Sequence, residues 1–413
     1  MKKIALFLFI LVGSFYSCSD DSPRNTFIDV DIPDRENPPT ATPCVDGMAG
    51  IYPCNNYDLL SHIEISELTT VAATGSDCWG WTDPMTGKEY ALFCASTGTS
   101  FIDISNGVEP VHLGNLPSHT SSSDWRDVKT YGNYAFIVSE ADGHGMQVFD
   151  LTRLRDVDTS NGPVVFTEDA HYNGFGNAHN IVINEQNAYA YAVGSNTFGG
   201  GPHFVDISNP LIPVGVGGYP QGAYSHDAQV VTYIGPDADY TGREILISSN
   251  QNEVLIADVT NKNSPQNIAT IEYPNRGYTH QGWFTEDHRY FILGDETDEI
   301  NFGISTRTIV FDFLDLDNPT IHMNYFGPTS AVDHNGYVRG NTYYLANYTA
   351  GVRIIDISNI ENSMMTETGF FDTYPDSNQA FFGGVWNVYP YFPSGNILVS
   401  DSNSGMFVIR KSE

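Results

Sequence analysis

The chain has 413 residues, with 18 Lys and Arg against 50 Asp and Glu, and its formal net charge is −32. A field of this sign repels nucleic acids and anionic membrane surfaces, so the composition argues against both as partners. It suits a soluble surface exposed to salt, and it also attracts divalent cations.

Residues 1–17 have the pattern of an export signal. Lys2 and Lys3 precede an apolar run from Ile4 to Val12, which is too short to span a membrane. A small residue then precedes Cys18, which resembles a bacterial lipoprotein signal cleaved before Cys18, with lipid attached to its sulfur. Two aromatic residues upstream depart from the usual pattern, and a plain secretory signal is the alternative.

Residues 18–43 are polar and rich in Pro, which predicts a flexible tether between the lipid and the fold. Ser19-Asp20-Asp21 resembles the acidic segment that sends some lipoproteins of Gram-negative bacteria to the outer face of the outer membrane. We therefore expect an exported, surface-facing protein that touches the membrane only through its lipid. The periplasmic face is the alternative.

Four cysteines remain after Cys18, an even number in an oxidising compartment. Cys44 and Cys54 bracket a short loop and are predicted to bridge, which makes residues 44–58 a disulfide-closed loop. Cys78 and Cys94 lie symmetrically about a predicted turn and could bridge across two strands. Buried free thiols are the alternative for that pair.

A short apolar run that ends in Asp, usually followed by Ser or Thr, returns along the chain. The six copies end at Asp103, Asp150, Asp206, Asp258, Asp312 and Asp356, 44 to 56 residues apart. Such a run is typical of a strand buried on both faces that stops where the Asp bonds its own turn. A period in this range indicates a repeat architecture.

Each repeat contains four strand patterns, and seven copies follow from about residue 78. This predicts an all-β fold, a seven-bladed β-propeller of four-stranded blades over residues 59–413, with a β-helix as the less suitable alternative. The seventh copy lacks its fourth strand, while Leu59 to Ile65 has the pattern of the missing piece. We expect this N-terminal strand to close the last blade and hide an open edge.

The repeats resemble LVIVD repeats, and the whole arrangement is similar to the choice-of-anchor B family of exported bacterial propeller proteins. The segments that carry the resemblance include Cys44–Asn55, Ser76–Trp81, Asp124–Asp127, Ala178–Asn180, Ser225–Gln229, Thr279–Trp283, Asp333–Asn335 and Trp386–Pro390. The resemblance implies a shared core with different attachments to the cell. It implies no biochemical activity.

These segments fall where each blade's first strand begins, and in a propeller that strand lines the central channel. Equivalent positions should therefore meet at the channel mouth, where polar and aromatic groups would form a binding site. The predicted ligand-binding residues are Asp77, Trp79, Asp124, Trp125, Arg126, Asn180, Gln281, Trp386 and Asn387. The three tryptophans could stack on a sugar ring.

Four histidines in consecutive blades are the most specific feature of the sequence. Imidazole is the commonest neutral nitrogen ligand for divalent transition metals, so these side chains with two neighbouring carboxylates predict a metal site. The candidate ligands are His179, His226, Asp227, His280, Asp333 and His334. Hydrogen bonding between blades is the structural alternative, and acid–base catalysis without metal is another.

The acidic run from Asp295 to Glu299 lacks the glycine and the spacing of known Ca²⁺ loops, and we interpret it as a solvated turn. Taken together, the patterns favour a monomeric binding protein for an extracellular ligand, glycan, protein or metal. A metal-dependent hydrolase or lyase that uses the same histidines is the second hypothesis. A structural envelope protein is the third.

Overall fold

In a computed structural model, residues 40–69, 71–222 and 224–413 are described. They form the seven sheets of a seven-bladed β-propeller, which confirms the predicted fold. The export signal, Cys18 and the tether up to residue 39 lie outside the described residues. Among the described helices, none is both long and apolar enough to cross a membrane.

The strands are numbered in chain order. The N-terminal segment contains β1 (Met48–Ala49), β2 (Tyr52–Asn55), β3 (Tyr57–Ile63) and helix α1 (Ile65–Leu68). Blade 1 contains β4 (Gly75–Thr82), β5 (Glu89–Ala95), β6 (Gly98–Asp103) and β7 (Val111–Pro117). Blade 2 contains β8 (Arg126–Tyr131), β9 (Tyr134–Ser139), β10 (Met146–Asp150) and β12 (Ala170–Tyr172). Between β10 and β12 the chain forms β11 (Val164–Val165), which pairs with β7 and extends blade 1.

The next three blades follow the same order. Blade 3 contains β13 (Asn180–Asn184), β14 (Tyr189–Val193), β15 (His203–Asp206) and β16 (Val214–Gly218). Blade 4 contains β17 (Asp227–Thr232), β18 (Glu244–Ser249), β19 (Val254–Asp258) and β20 (Gln266–Ile271). Blade 5 contains β21 (Thr279–Phe284), β22 (Tyr290–Asp295), helix α2 (Asp298–Phe302), β23 (Arg307–Asp312) and β24 (Thr320–Phe326).

The last two blades complete the ring. Blade 6 contains β25 (Gly336–Arg339), β26 (Thr342–Ala346), β27 (Val352–Asp356) and β28 (Thr366–Phe371). Blade 7 contains β29 (Val385–Tyr389), β30 (Ile397–Asp401) and β31 (Gly405–Lys411). Short 3₁₀ turns span Leu151–Leu154, Phe198–Gly200, Ala238–Tyr240 and Ile360–Asn362.

The repeated Asp holds the turn after the third strand of a blade. In each of six blades its Oδ1 accepts a hydrogen bond, 2.9 to 3.0 Å long, from the backbone N–H two residues later. The pairs are Asp103 with Ser105, Asp150 with Thr152, Asp206 with Ser208, Asp258 with Thr260, Asp312 with Leu314, and Asp356 with Ser358. The repeat is therefore a scaffold device, because a local side-chain bond ends the strand at the same place in each blade.

Strand β3 completes blade 7, as predicted. It pairs antiparallel with β31, with Leu59 opposite Ile409 and Ile63 opposite Met406. The strand begins two residues before the predicted segment and ends two before it, because Ile65 already begins helix α1. The pairing joins the two ends of the described chain and covers the edge of β31.

The segment predicted as a disulfide-closed loop forms a hairpin of β1 and β2. Cys44 and Cys54 are bridged, with an S–S distance of 1.99 Å. Strand β2 also pairs with β28, with Cys54 opposite Phe371, so the hairpin extends blade 6 at its outer edge.

Cys78 and Cys94 are buried free thiols, which corrects the predicted second bridge. The register set by the hairpin turn, with Thr82 opposite Glu89, continues without a break to Cys78, which therefore lies opposite Phe93, one residue away from Cys94. Successive residues of a strand point to opposite faces, and a shift of one residue therefore sends the two thiols to different sides. Cys78 packs in one hydrophobic cluster and Cys94 in another.

Candidate functional site

The first strands of the blades begin at one end of the central channel, and the four predicted histidines meet there. We call this end the histidine mouth and define it by His179, His226, His280 and His334. Rings from neighbouring blades are in contact, with centroid distances of 4.1, 4.3 and 4.3 Å along the series. The predicted arc of imidazoles is therefore present as a continuous row across blades 3 to 6.

Backbone carbonyl groups fix the orientation of two of these rings. His226 donates from Nδ1 to the carbonyl of His280 at 3.3 Å, and His334 donates from Nδ1 to the carbonyl of Trp386 at 2.5 Å. A carbonyl oxygen only accepts, so in the neutral rings the proton is on Nδ1 and Nε2 carries a lone pair. Metal-binding histidines commonly have this arrangement.

The imidazoles of His226, His280 and His334 are held in the neutral form. Burial, followed by the neighbouring imidazoles, lowers the pKa of His226 well below its usual value. Burial also lowers the pKa of His280 and of His334 to about 3, with further contributions from neighbouring histidines. At neutral pH these rings therefore offer lone pairs rather than positive charge.

Glu296 completes a cluster of acceptor atoms. Its two carboxylate oxygens lie 3.7 Å from His280 Nε2 and 3.7 Å from His334 Nε2, and Tyr348 donates its hydroxyl to the same carboxylate at 2.8 Å. The closest ligand atoms of His226, His280 and Glu296 all lie within 4.8 Å of one another. The Nε2 lone pair of His334 faces this carboxylate without an intervening proton, and a cation between the two groups would remove the resulting repulsion.

The space at the mouth is small. The cavity has a volume of about 20 Å³, and its walls include Trp125 and Trp386 as well as the four histidines. That volume accommodates one water molecule or one ion. Trp125 is 46% exposed and lies at the outer rim of the opening.

His179 differs from the other three histidines because it has a carboxylate partner of its own. Its Nδ1 lies 2.6 Å from an oxygen of Glu140, which follows strand β9. Its ring still contacts His226, so the pair extends the row of imidazoles toward blade 2.

Several predicted ligand residues lie deeper and connect the blades. Asp77 accepts from the backbone N–H of Val128 at 3.2 Å, and Asn387 donates to Asp77 and to the carbonyl of Cys78. Lys129 lies 3.0 Å from Asp77 and 2.5 Å from Asp127. We call Asp77, Asp127 and Lys129 the charged plug, because they fill the channel below the histidine mouth.

The ionisation of the plug follows from its burial. Burial and the neighbouring Asp127 raise the pKa of Asp77. At Asp127 burial is outweighed by the attraction of Lys129 together with the hydrogen bonds that this carboxylate receives, so its pKa is lowered. The two carboxylates raise the pKa of Lys129 despite its burial. The group is thus a neutralised structural cluster.

Gln281 and Asp333 also make structural contacts. Gln281 exchanges two hydrogen bonds with the backbone of Gly336, at 3.2 and 2.9 Å. Asp333 is buried and accepts from Thr308 at 3.3 Å. Asp227 and Asp333 were predicted to bind the metal, but neither belongs to the cluster of His226, His280 and Glu296. Asp227 instead accepts a hydrogen bond from the N–H of Ala228.

The remaining predicted ligand residues are dispersed. Asp124 accepts from Thr74 at 2.5 Å, and Asn180 accepts from the N–H of Ile181 at 2.9 Å while still lining the mouth. Arg126 is buried under the mouth, where it donates to the ring of His144 at 2.9 Å, and its Nη2 has no partner. Trp79 lies toward the other end of the channel.

Residues 123–148 and 337–373 match the LVIVD repeat. The chain contains LVIVD repeats. The two matched segments cover strands of blades 2 and 6, in agreement with the predicted resemblance. No curated protein matches the sequence.

Two solved structures share the fold of this chain. Hydrazine synthase of Kuenenia stuttgartiensis aligns with a TM-score of 0.60 at 11% identity, over 85% of this chain and 97% of that one. The β-propeller domain of Cps50 (Swd1) from Myceliophteria thermophila aligns with a TM-score of 0.55 at 10% identity, over 86% of this chain and 100% of that one. At these identities the likeness establishes the fold alone.

Two carboxylates at the histidine mouth, those of Glu140 and Glu296, were not among the predicted site residues. Glu140 and Glu296 directly follow second strands, β9 and β22. A second strand runs antiparallel to the first, so its end returns to the mouth where the first strand begins. The residue after each second strand was therefore the signal that could have identified these carboxylates. The interpretation of residues 295–299 as a solvated turn was wrong, since Asp295, Asp298 and Glu299 are buried.

Proposed function

We propose that this protein is an exported propeller that binds one divalent transition metal at the histidine mouth. His226, His280 and Glu296 are the proposed ligands, with His334 beside them. The observation that carries the proposal is that ligand atoms of His226, His280 and Glu296 lie within 4.8 Å of one another, with the Nε2 atoms of His280 and His334 each 3.7 Å from the Glu296 carboxylate.

The spacing of these atoms suits a metal after a small adjustment. Two ligands bound at about 2.1 Å with tetrahedral angles lie about 3.4 Å apart. Two imidazoles and one carboxylate form a ligand set suited to Zn²⁺ or Fe²⁺, and they leave coordination positions free. We propose that these positions face outward, where an extracellular ligand, glycan or protein would also meet Trp125 and Trp386.

The cellular setting is part of the proposal. Lipid on Cys18 would anchor the protein to the outer membrane, facing the medium, and would be its only membrane contact. The Cys44–Cys54 bridge supports export, because structural disulfides persist in oxidising compartments. The choice-of-anchor B resemblance supports the same setting.

A titration of the metal-free full chain with Co²⁺ tests the site. Co²⁺ is a spectroscopic substitute for Zn²⁺, and we expect one ion per chain with visible absorption bands. His226→Ala or His280→Ala should weaken binding by at least about a hundredfold, as expected when a direct ligand is lost. His112→Ala is the matched control, since His112 contacts Asn115 on strand β7 away from the mouth.

The same titration separates the alternatives. Absence of bound metal by elemental analysis after reloading, or equal affinity in the alanine variants, would favour the structural interpretation of the histidines. We prefer a binding role to a hydrolase or lyase because a cavity of about 20 Å³ has room for an ion but not for an organic substrate beneath the rim.

A further inference from the structure

A second cavity lies at the opposite end of the channel, where the first strands end. Its volume is about 450 Å³, and an adjoining space of about 100 Å³ shares part of its wall. We call it the aromatic chamber and define it by six of its lining residues: Trp79, Glu185, Trp283, Glu286, Tyr389 and Tyr391. This volume is typical of sites for small organic ligands.

The rings of the chamber hold one another in place. Buried Tyr337 contacts Trp79 at 5.6 Å and Trp283 at 4.9 Å between ring centroids, in both cases edge to face. Tyr389 lies 5.0 Å from Trp79 and 5.4 Å from Tyr391. A ligand would therefore meet a wall that is already arranged, which lowers the entropic cost of binding.

Gly80 explains why this arrangement is possible. A Cβ added at Gly80 would lie 2.1 Å from the ring of Tyr389 and 2.6 Å from the ring of Phe392. The glycine between Trp79 and Trp81 thus allows the ring of Tyr389 to pack directly on strand β4.

The chamber carries acidic charge. Glu185 and Glu286 are exposed at its wall, and Glu286 accepts from the N–H of Gly340 at 2.6 Å. Lys129 borders the smaller space, but the two carboxylates of the charged plug neutralise it. His288 accepts a backbone hydrogen bond at Nδ1, and burial lowers its pKa, so it adds no positive charge at neutral pH.

The fold already places an ammonium group on one of these rings. Lys129 Nζ lies 4.6 Å from the centroid of the Trp79 ring, within the distance of a cation–π interaction. We infer that the aromatic chamber binds a compact organic ammonium ion, held by the faces of Trp79, Trp283 and the tyrosines and by the carboxylates of Glu185 and Glu286. The negative charge of the whole chain increases the local concentration of such cations.

This inference is independent of the proposed metal site, because the chamber contains none of the proposed ligands. Choline and its uncharged isostere 3,3-dimethylbutan-1-ol are suitable probes, since they differ mainly in charge. Calorimetric titration of the EDTA-treated full chain should show choline binding at least about tenfold tighter than the isostere. Added salt should weaken the binding of choline, because the chamber carboxylates are partly exposed.

Two variants locate the site. Trp283→Ala removes a ring, and Glu185→Gln removes a charge while keeping the shape of the side chain. Each should weaken choline binding by about fivefold or more. Trp125→Ala at the histidine mouth is the matched control and should bind choline as the unmodified chain does, and circular dichroism with thermal unfolding verifies that each variant is folded.

Three outcomes would overturn the inference. The first is binding of the isostere as tight as that of choline, which would make the chamber a plain apolar pocket. The second is tighter binding of a neutral sugar such as N-acetylglucosamine, which would make it a glycan site. The third is the absence of choline binding in the unmodified chain, or its persistence at full strength in folded Glu185→Gln and Trp283→Ala.

Discussion

The two ends of the channel are built by the same seven strands and yet differ in chemistry. The histidine mouth is small, about 20 Å³, and it brings imidazole rings together with the carboxylates of Glu140 and Glu296. The aromatic chamber is about twenty times larger and combines ring faces with carboxylates. The charged plug lies between them. A repeat can therefore fix the strands while the residues at either end of each strand diversify independently.

The largest expected effect comes from the plug that separates the two ends. Lys129→Met leaves Asp77 and Asp127 buried without their cation, and removing one partner of a buried ion pair costs about 3–5 kcal/mol. Urea unfolding should reveal this loss. Lys88→Met is the control, because Lys88 is 47% exposed in its pair with Asp103 and its loss should cost at most about 1 kcal/mol. Equal losses in both variants would show that the plug has no special role.

Two glutamates test whether the two ends act independently. Glu296→Gln should weaken Co²⁺ binding by about 10- to 100-fold, because the carboxylate charge is lost, and should leave choline binding unchanged. Glu286→Gln should weaken choline binding and leave Co²⁺ binding unchanged. Calorimetric titration of both variants with Co²⁺ and with choline measures the four affinities. Coupled losses would contradict the independence of the two ends.

Acid should destabilise the region under the histidine mouth. Burial and Arg126 lower the pKa of His144 to about 3, so its unfolded-state pKa of 6.5 is higher than its folded-state value. A histidine with a depressed pKa stabilises the fold above pH 6.5, and this stabilisation is lost as the pH falls toward 3. For His144 alone, the free energy of unfolding should decrease by about 2 kcal/mol between pH 7 and pH 5. In His144→Gln the slope over that interval should be smaller by this amount. An unchanged slope, measured by urea unfolding at both values, would refute the assignment.

The smallest expected effect concerns the repeat itself. Asp206→Ala removes the hydrogen bond from the N–H of Ser208, and a single partly exposed bond of this kind contributes about 1 kcal/mol. Thermal unfolding should show a small decrease in Tm, with both ligand affinities unchanged. A loss of either affinity would mean that the repeat contributes to function directly.

The parts of the molecule that follow the repeat were predictable from the sequence. The Asp-ending strands gave the period, the period gave the blade count, and the missing strand of the seventh copy identified the closing segment. The four histidines were also predictable as neighbours, because they occupy equivalent places in consecutive blades. Equivalence within a repeat carries over directly to proximity in a closed ring.

Depth along the channel was not predictable to the same degree. Residues two apart on a strand differ in height by about 6.6 Å, so Trp79 lines the aromatic chamber although Asp77, two residues earlier, belongs to the charged plug. The register of the turn between β4 and β5 could not be anticipated either, and it placed Cys78 opposite Phe93 and not Cys94. Carboxylates such as Glu296 come from a different strand of the blade, which a comparison of first strands alone does not include.

The pairing of β3 with β31 has a consequence for how the chain folds. Its partners are separated by more than three hundred residues, so the ring cannot close until nearly the whole chain is present. Until then blade 7 lacks its outer strand and blade 6 lacks the hairpin that extends it through β2. One short N-terminal segment therefore covers two aggregation-prone edges, and the Cys44–Cys54 bridge closes the hairpin that covers the edge of blade 6.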